Sequence, residues 1–146
     1  RAGFPRVTGV EVSSGAISSA ISAARHAGLS RSAASFIADD ATAWARAQSP
    51  EDVPDVIVVN PPRRGIGSDL AAYLNGCDAP RVIYSSCNPT SLATDLAAMP
   101  TLRPVEGRLF DMFPHTAHAE VALLLERASV APIARPTPAS DRYNWT

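Results

Sequence analysis

The sequence of 146 residues has only two cysteines, Cys77 and Cys87, and no Cys-x-x-Cys pair. That excludes a disulfide framework of the secreted kind and the common zinc layouts. It also lacks any G-x-G-x-x-G, the turn that lets backbone approach a phosphate in dinucleotide folds. No apolar run is long enough to cross a bilayer. Charge of one sign is missing too. Thirteen basic and 14 acidic residues leave a formal net charge of -1, which gives no electrostatic footprint for gripping nucleic acid. Charged residues are 18% but hydrophobic ones 46%, so the chain has the composition of one globular domain with a core rather than a disordered segment. A reducing, cytoplasmic setting is the expectation.

What is present is an alternation of short apolar runs and helical segments. "RVTGVEV" has the β-branched character of a strand. "AISSAISAARHAGL" follows at helical spacing, with Ser13 or Ser14 as N-cap and Gly28 as stop. "ASFIA" is a short strand, with a weak helix from Thr42 to Gln48. "DVIVVN" is apolar throughout, as suits a strand buried on both faces of a parallel sheet. "SDLAAYLNG" is a helix with its own cap, "RVIYSS" a strand, and "SLATDLAAM" a helix. "RPVEGRLFDMF" and "AEVALLLER" form a closing antiparallel pair. This pattern predicts an α/β fold with helices on both faces of a doubly wound sheet over 1–128. The first strand unit is expected to be missing, because the chain opens in what looks like the second. Residues 129–146, rich in proline and without periodicity, are expected to be a flexible tail.

Ligands of open parallel sheets bind beyond the carboxyl ends of the strands, and several such ends carry polar residues. Glu11 can accept both hydroxyls of a ribose, or be a solvated strand-end acid. Asn60, in "NPPRRG", is held by two prolines that fix an extended exit; its amide offers donors and an acceptor, and Arg63 and Arg64 suit a phosphate. Cys87 lies in "YSSCNPT" among loop residues, just before a helix whose N-terminus favours negative charge. Cys77 is read as a packing residue. Asp111, His115, His118 and Glu120 crowd the last loop. Their spacing matches no common zinc pattern, so no metal is expected, and an acid/base cluster is the better reading.

Taken together, "VVNPPRRGIG", "IYSSCNPTSLATDL" and "LFDMFPHTAHAEVALLL", in this order, resemble the S-adenosylmethionine-dependent RNA uracil-C5 methyltransferases. The branch acting on 23S ribosomal RNA is the most similar, and the match runs from about Val7 to Arg127. The resemblance implies a Rossmann-like class I methyltransferase fold, with a mostly parallel twisted sheet and a last antiparallel strand. It implies S-adenosylmethionine as cofactor and RNA as partner, gripped by a part outside this chain. Cys87 would be the nucleophile that adds to uracil C6, and Glu120 the base that removes the C5 proton. Glu11 would hold the cofactor ribose, Asp40 would lie near its adenine, and Asn60 at the junction of cofactor and base. Arg63 and His115 would face the substrate. Two positions depart from the family pattern: Ser91 stands where threonine is usual, and Thr94 where a basic residue is frequent.

Other readings stand beside this one. Asn-Pro-Pro also marks amino-group methyltransferases, but an aromatic residue is then expected where Arg63 stands. A Cys/His hydrolase would use Cys87 with His115 or His118, without an evident oxyanion turn. A non-catalytic Rossmann-like remnant that binds a partner is the third. The chain by itself is expected to bind cofactor poorly and not to methylate unaided.

Overall fold

The computed structural model describes residues 4–112, 115–116 and 119–128. The expected tail and His118 lie outside the described residues. The elements run β1 (Val7–Glu11), α1 (Ser14–His26), β2 (Ala34–Ala38), α2 (Ala41–Arg46), a 3-10 turn (Pro50–Asp52), β3 (Val56–Val59), α3 (Gly67–Gly76), β4 (Arg81–Ser86), α4 (Pro89–Ala97), β5 (Leu102–Phe110) and β6 (Glu120–Arg127). The alternation read from the sequence is present; the 3-10 turn was not foreseen.

Local chemistry sets the helix ends. Ser13 caps α1 by accepting from the Ala16 N–H at 3.2 Å, and Gly28, at φ 71°, takes the left-handed turn that closes it. Asp40 caps α2. Asn88 caps α4, with Pro89 in its first turn, where the missing N–H is no loss. Helix α3 differs from expectation. It begins at Gly67, ahead of Ser68, and has no side-chain cap of its own.

The strands form two sheets. β1 and β2 pair in parallel, and β3, β4, β6 and β5 lie in that order in a four-stranded sheet. β3 and β4 are parallel, whereas β6 runs antiparallel to both β4 and β5. The single sheet expected is thus split, because among the described residues no strand is paired between β1 and β3. Val7 and Val58, on those two strands, are exposed. No helix among the described residues is long and apolar enough to cross a membrane.

The core lies where α3 and α4 cover β4 and β6. Leu74, Val82, Tyr84, Met99 and Leu125 are fully buried there. Its far end is tied by Arg127, whose guanidinium donates to the carbonyls of Leu74 (2.8 Å), Asn75 (3.0 Å) and Ala79 (3.1 Å) and to the Thr101 hydroxyl (2.8 Å). One cation thereby satisfies the last carbonyls of α3 and fixes them to the end of β6. Arg127→Ala is expected to lower the unfolding free energy by about 1.5–3 kcal/mol, the range for hydrogen bonds to a charged group. Urea denaturation measures it.

Candidate active site

The antiparallel ladder between β4 and β6 pairs Val82 with Leu125, Tyr84 with Leu123 and Ser86 with Val121. The Ser86–Val121 pair is the last of the ladder. Cys87 lies in the bend just past the end of β4, and Glu120 is the first residue of β6, at the same end of the sheet. Glu120 is held there by Ser85, whose hydroxyl donates to its Oε1 at 2.5 Å. Cys87 is a free cysteine of intermediate exposure, neither sealed in the core nor fully in solvent.

The residue after the thiol joins two loops. Asn88 accepts from the Thr90 N–H at 3.1 Å as the cap of α4, and its Nδ2 donates to the Arg63 carbonyl at 2.8 Å. The β3–α3 loop, which carries Asn60, Arg63 and Arg64, is thereby tied to the cysteine loop. A second tie lies deeper. Asp95, buried on α4, accepts from the Tyr84 hydroxyl and from the Ile66 N–H at 3.0 Å. Burial, and then the bond and charge of Asp95, push the Tyr84 phenol up from its ordinary value.

Glu11 ends β1, exposed; one carboxylate oxygen accepts from the Ser13 N–H at 2.9 Å, leaving the other for a ligand hydroxyl. Asp40 is first the cap of α2, accepting from the Ala43 N–H at 2.8 Å. It also lines an open cleft of about 450 Å³ between α2 and the start of α3, with Thr42, Arg46, Ile66 and Asp69 among its walls. A carboxylate such as Asp40 in the wall of a cleft can accept from the hydroxyl or amino groups of a ligand.

Asn60, Arg63 and Arg64 are exposed on the β3–α3 loop. His115 is exposed and takes a left-handed φ of 65°, while Asp111 lies exposed just beyond β5. Among the described residues no group of three or more histidine, cysteine or carboxylate side chains is placed to hold a metal ion. Cys77 bonds locally, its thiol directed to the Leu74 carbonyl at 3.6 Å.

Sequence reasoning missed Ser85, the second role of Asn88, and Asp95. Only Asp95 left a signal. It falls three residues after Leu92, on the same stripe of the helix, where an apolar residue is the rule.

The family model described as tRNA (Uracil-5-)-methyltransferase matches residues 52–128. The 23S rRNA (uracil(747)-C(5))-methyltransferase RlmC of Pectobacterium atrosepticum is 46% identical over 123 residues, which are 84% of this chain and 32% of that protein. Its counterpart in Escherichia coli is 50% identical over 121 residues, 82% of this chain and 31% of the relative. The chain thus spans about a third of the length of the curated relatives it matches. Among solved structures, the Pyrococcus abyssi tRNA (uracil-54, C5)-methyltransferase in complex with S-adenosyl-L-homocysteine superimposes with a TM-score of 0.69 at 30% identity, covering 82% of this chain and 28% of that one. N-methyltransferase NodS from Bradyrhizobium japonicum, at 17% identity and TM-score 0.59 over 84% of this chain and 74% of its own, shares the fold alone. The fold is accordingly Rossmann-like, of the S-adenosylmethionine-dependent methyltransferase kind.

Two outcomes follow from this geometry. Asn88→Ala is expected to cost about 1 kcal/mol through the lost cap, whereas Asn88→Asp keeps the cap and loses only the donor to Arg63. Thermal melts should therefore separate the two variants, while amide exchange in the 63–66 loop should rise in both. The second concerns alkali. An unfolded tyrosine ionises near 10.0, but Tyr84 stays protonated in the fold above that value, so its stabilising contribution is complete below pH 10 and is lost as pH rises through the raised pKa. Stability measured from pH 9 to 11 is expected to decline, and Tyr84→Phe to lessen that slope, leaving the part due to Tyr73, whose phenol burial also pushes up.

Proposed function

The chain belongs to the tRNA (uracil-5-)-methyltransferase family, and from that premise we propose that it carries the chemistry of methyl transfer to C5 of a uridine in RNA. The RlmC relatives, at 46% and 50% identity, favour 23S ribosomal RNA as the substrate, which makes the cytoplasm its place of work. The reading is supported chiefly by one observation: the β4–β6 ladder ends at the Ser86–Val121 pair, and Cys87 and Glu120 are the residues next to that pair on the two chains.

Uracil C5 is a weak nucleophile, and the chain's residues are suited to make it a strong one. The Cys87 thiolate adds to C6, and the C5–C6 electron pair moves to C5 and the adjoining carbonyl. When bound, S-adenosylmethionine supplies an electrophilic methyl group on a sulfonium centre. Once C5 carries the methyl, Glu120 takes the C5 proton, the double bond re-forms and the carbon–sulfur bond to Cys87 breaks. Ser85 holds the carboxylate in place for that step. Glu11 and Asp40 are assigned to the ribose and adenine of the cofactor, and Asn60 to its junction with the base. Arg63 and His115 are assigned to the RNA side. The target base must leave its stack to reach the thiol. A net charge of -1 gives this chain no general electrostatic attraction for RNA, so the RNA is proposed to be gripped from outside it.

The test uses RNA carrying 5-fluorouridine at the target, where fluorine blocks the final elimination. The full-length protein is expected to form a covalent adduct mapped by mass spectrometry to Cys87 and absent from Cys87→Ala. An adduct on another residue, or one that persists in Cys87→Ala, contradicts the assignment.

A further inference from the structure

We infer that Asp95 is a positioning residue which, with Tyr84 and Gly65, sets the β3–α3 loop at a fixed distance from the Cys87 loop. The inference rests on the proposed roles of Cys87, Asn60 and Arg63.

Asp95 touches every part that must be held. It sits on α4, the helix that starts two residues after Cys87, and its Oδ2 accepts from the hydroxyl of Tyr84, which precedes Cys87 on β4. The same oxygen accepts from the backbone N–H of Ile66 in the facing loop. Gly65 completes the fit. Its φ of 89° is one that side chains rarely adopt, and a Cβ there would overlap the Asp95 carboxylate. The loop therefore lies directly on the acid. Together with the Asn88 bond to the Arg63 carbonyl, this pins the loop at 63 and at 66.

Packing alone does not explain the arrangement. Asp95 is 6% exposed and Tyr84 0%. Burying a carboxylate and a phenol is expensive unless both are satisfied, and a phenylalanine–leucine pair would fill such a space without that cost. What the polar pair provides, and an apolar pair would not, is a bond to the backbone of the loop carrying Asn60 and Arg63. A loop displaced by about 1 Å can slow a reaction roughly 100-fold, so a rigid tie between these two loops bears directly on turnover.

The full-length protein is compared with Asp95→Ala, Asp95→Asn and Met99→Ala, the last a buried core residue outside this hydrogen-bond network. Three readouts are taken: amide exchange across 63–66, alkylation of Cys87 by iodoacetamide, and steady-state methylation. Asp95→Ala is expected to raise loop exchange roughly tenfold. It should shift the alkylation rate and lower kcat by about 10–100-fold, with the KM for RNA little changed. Asp95→Asn, which keeps an acceptor oxygen, should restore all three. Should Asp95→Ala fail to fold, Gly65→Ala applies the same displacement from the loop side. Equal effects from Asp95→Ala and Met99→Ala, or an Asp95→Asn as damaging as the alanine, overturn the inference. Exchange and alkylation involve no RNA chemistry, so they decide it even if the protein proves not to methylate uridine.

Discussion

The insertion of β6 between β4 and β5 is the constraint on which the rest depends. Side chains alternate faces along a strand, so slipping β6 by one residue would carry Glu120 to the far side of the sheet. What resists the slip is burial. Val82 and Leu125 are direct partners in the ladder and both are fully removed from solvent. Losing one large core side chain of this kind costs about 2–5 kcal/mol, far more than one surface carboxylate can demand. The hydrophobic pair thus dictates the register at one end of the ladder, and the thiol loop and the acid lie at the other end.

Around this pair, helix caps do the positioning. Asn88 starts α4 and reaches the Arg63 carbonyl; Asp40 starts α2 and lines the neighbouring cleft. A residue already fixed by capping a helix has little rotameric freedom left, so its remaining polar atoms are preorganised at no further entropic cost. The site is built in this way from residues whose first duty is local structure. Glu11 and Asp40 each use one carboxylate oxygen on the backbone, while Asn88 spends both its amide atoms there, one on the cap and one on the Arg63 carbonyl.

The fold was largely legible because its signals are local. β-Branched apolar runs gave the strands, and the Ser13 cap and Gly28 stop bounded α1. The antiparallel closing pair was visible from "RPVEGRLFDMF" and "AEVALLLER". The division into two sheets was harder to foresee, since pairing between β1 and β3 is a long-range matter that no local pattern records. The same limit applies at the site. Cys87 and Glu120 stood out by residue type and motif, and their place at one end of the sheet needs only the β4–β6 pairing. Ser85 did not, because a serine among serines reveals a partner only once the chain has folded 35 residues back on itself, and Asp95, though out of place on an apolar stripe, has its partner 29 residues away.

If Cys87 activates a uracil whose C5 proton then leaves to Glu120, the proton's fate can be followed as tritium released from [5-³H]uridine RNA in a single turnover of the full-length protein. Wild type is expected to release tritium to water with methylation, while Glu120→Gln methylates C5, remains bonded to RNA through Cys87 and releases almost none. Tritium release by Glu120→Gln at the wild-type rate would contradict that role for Glu120.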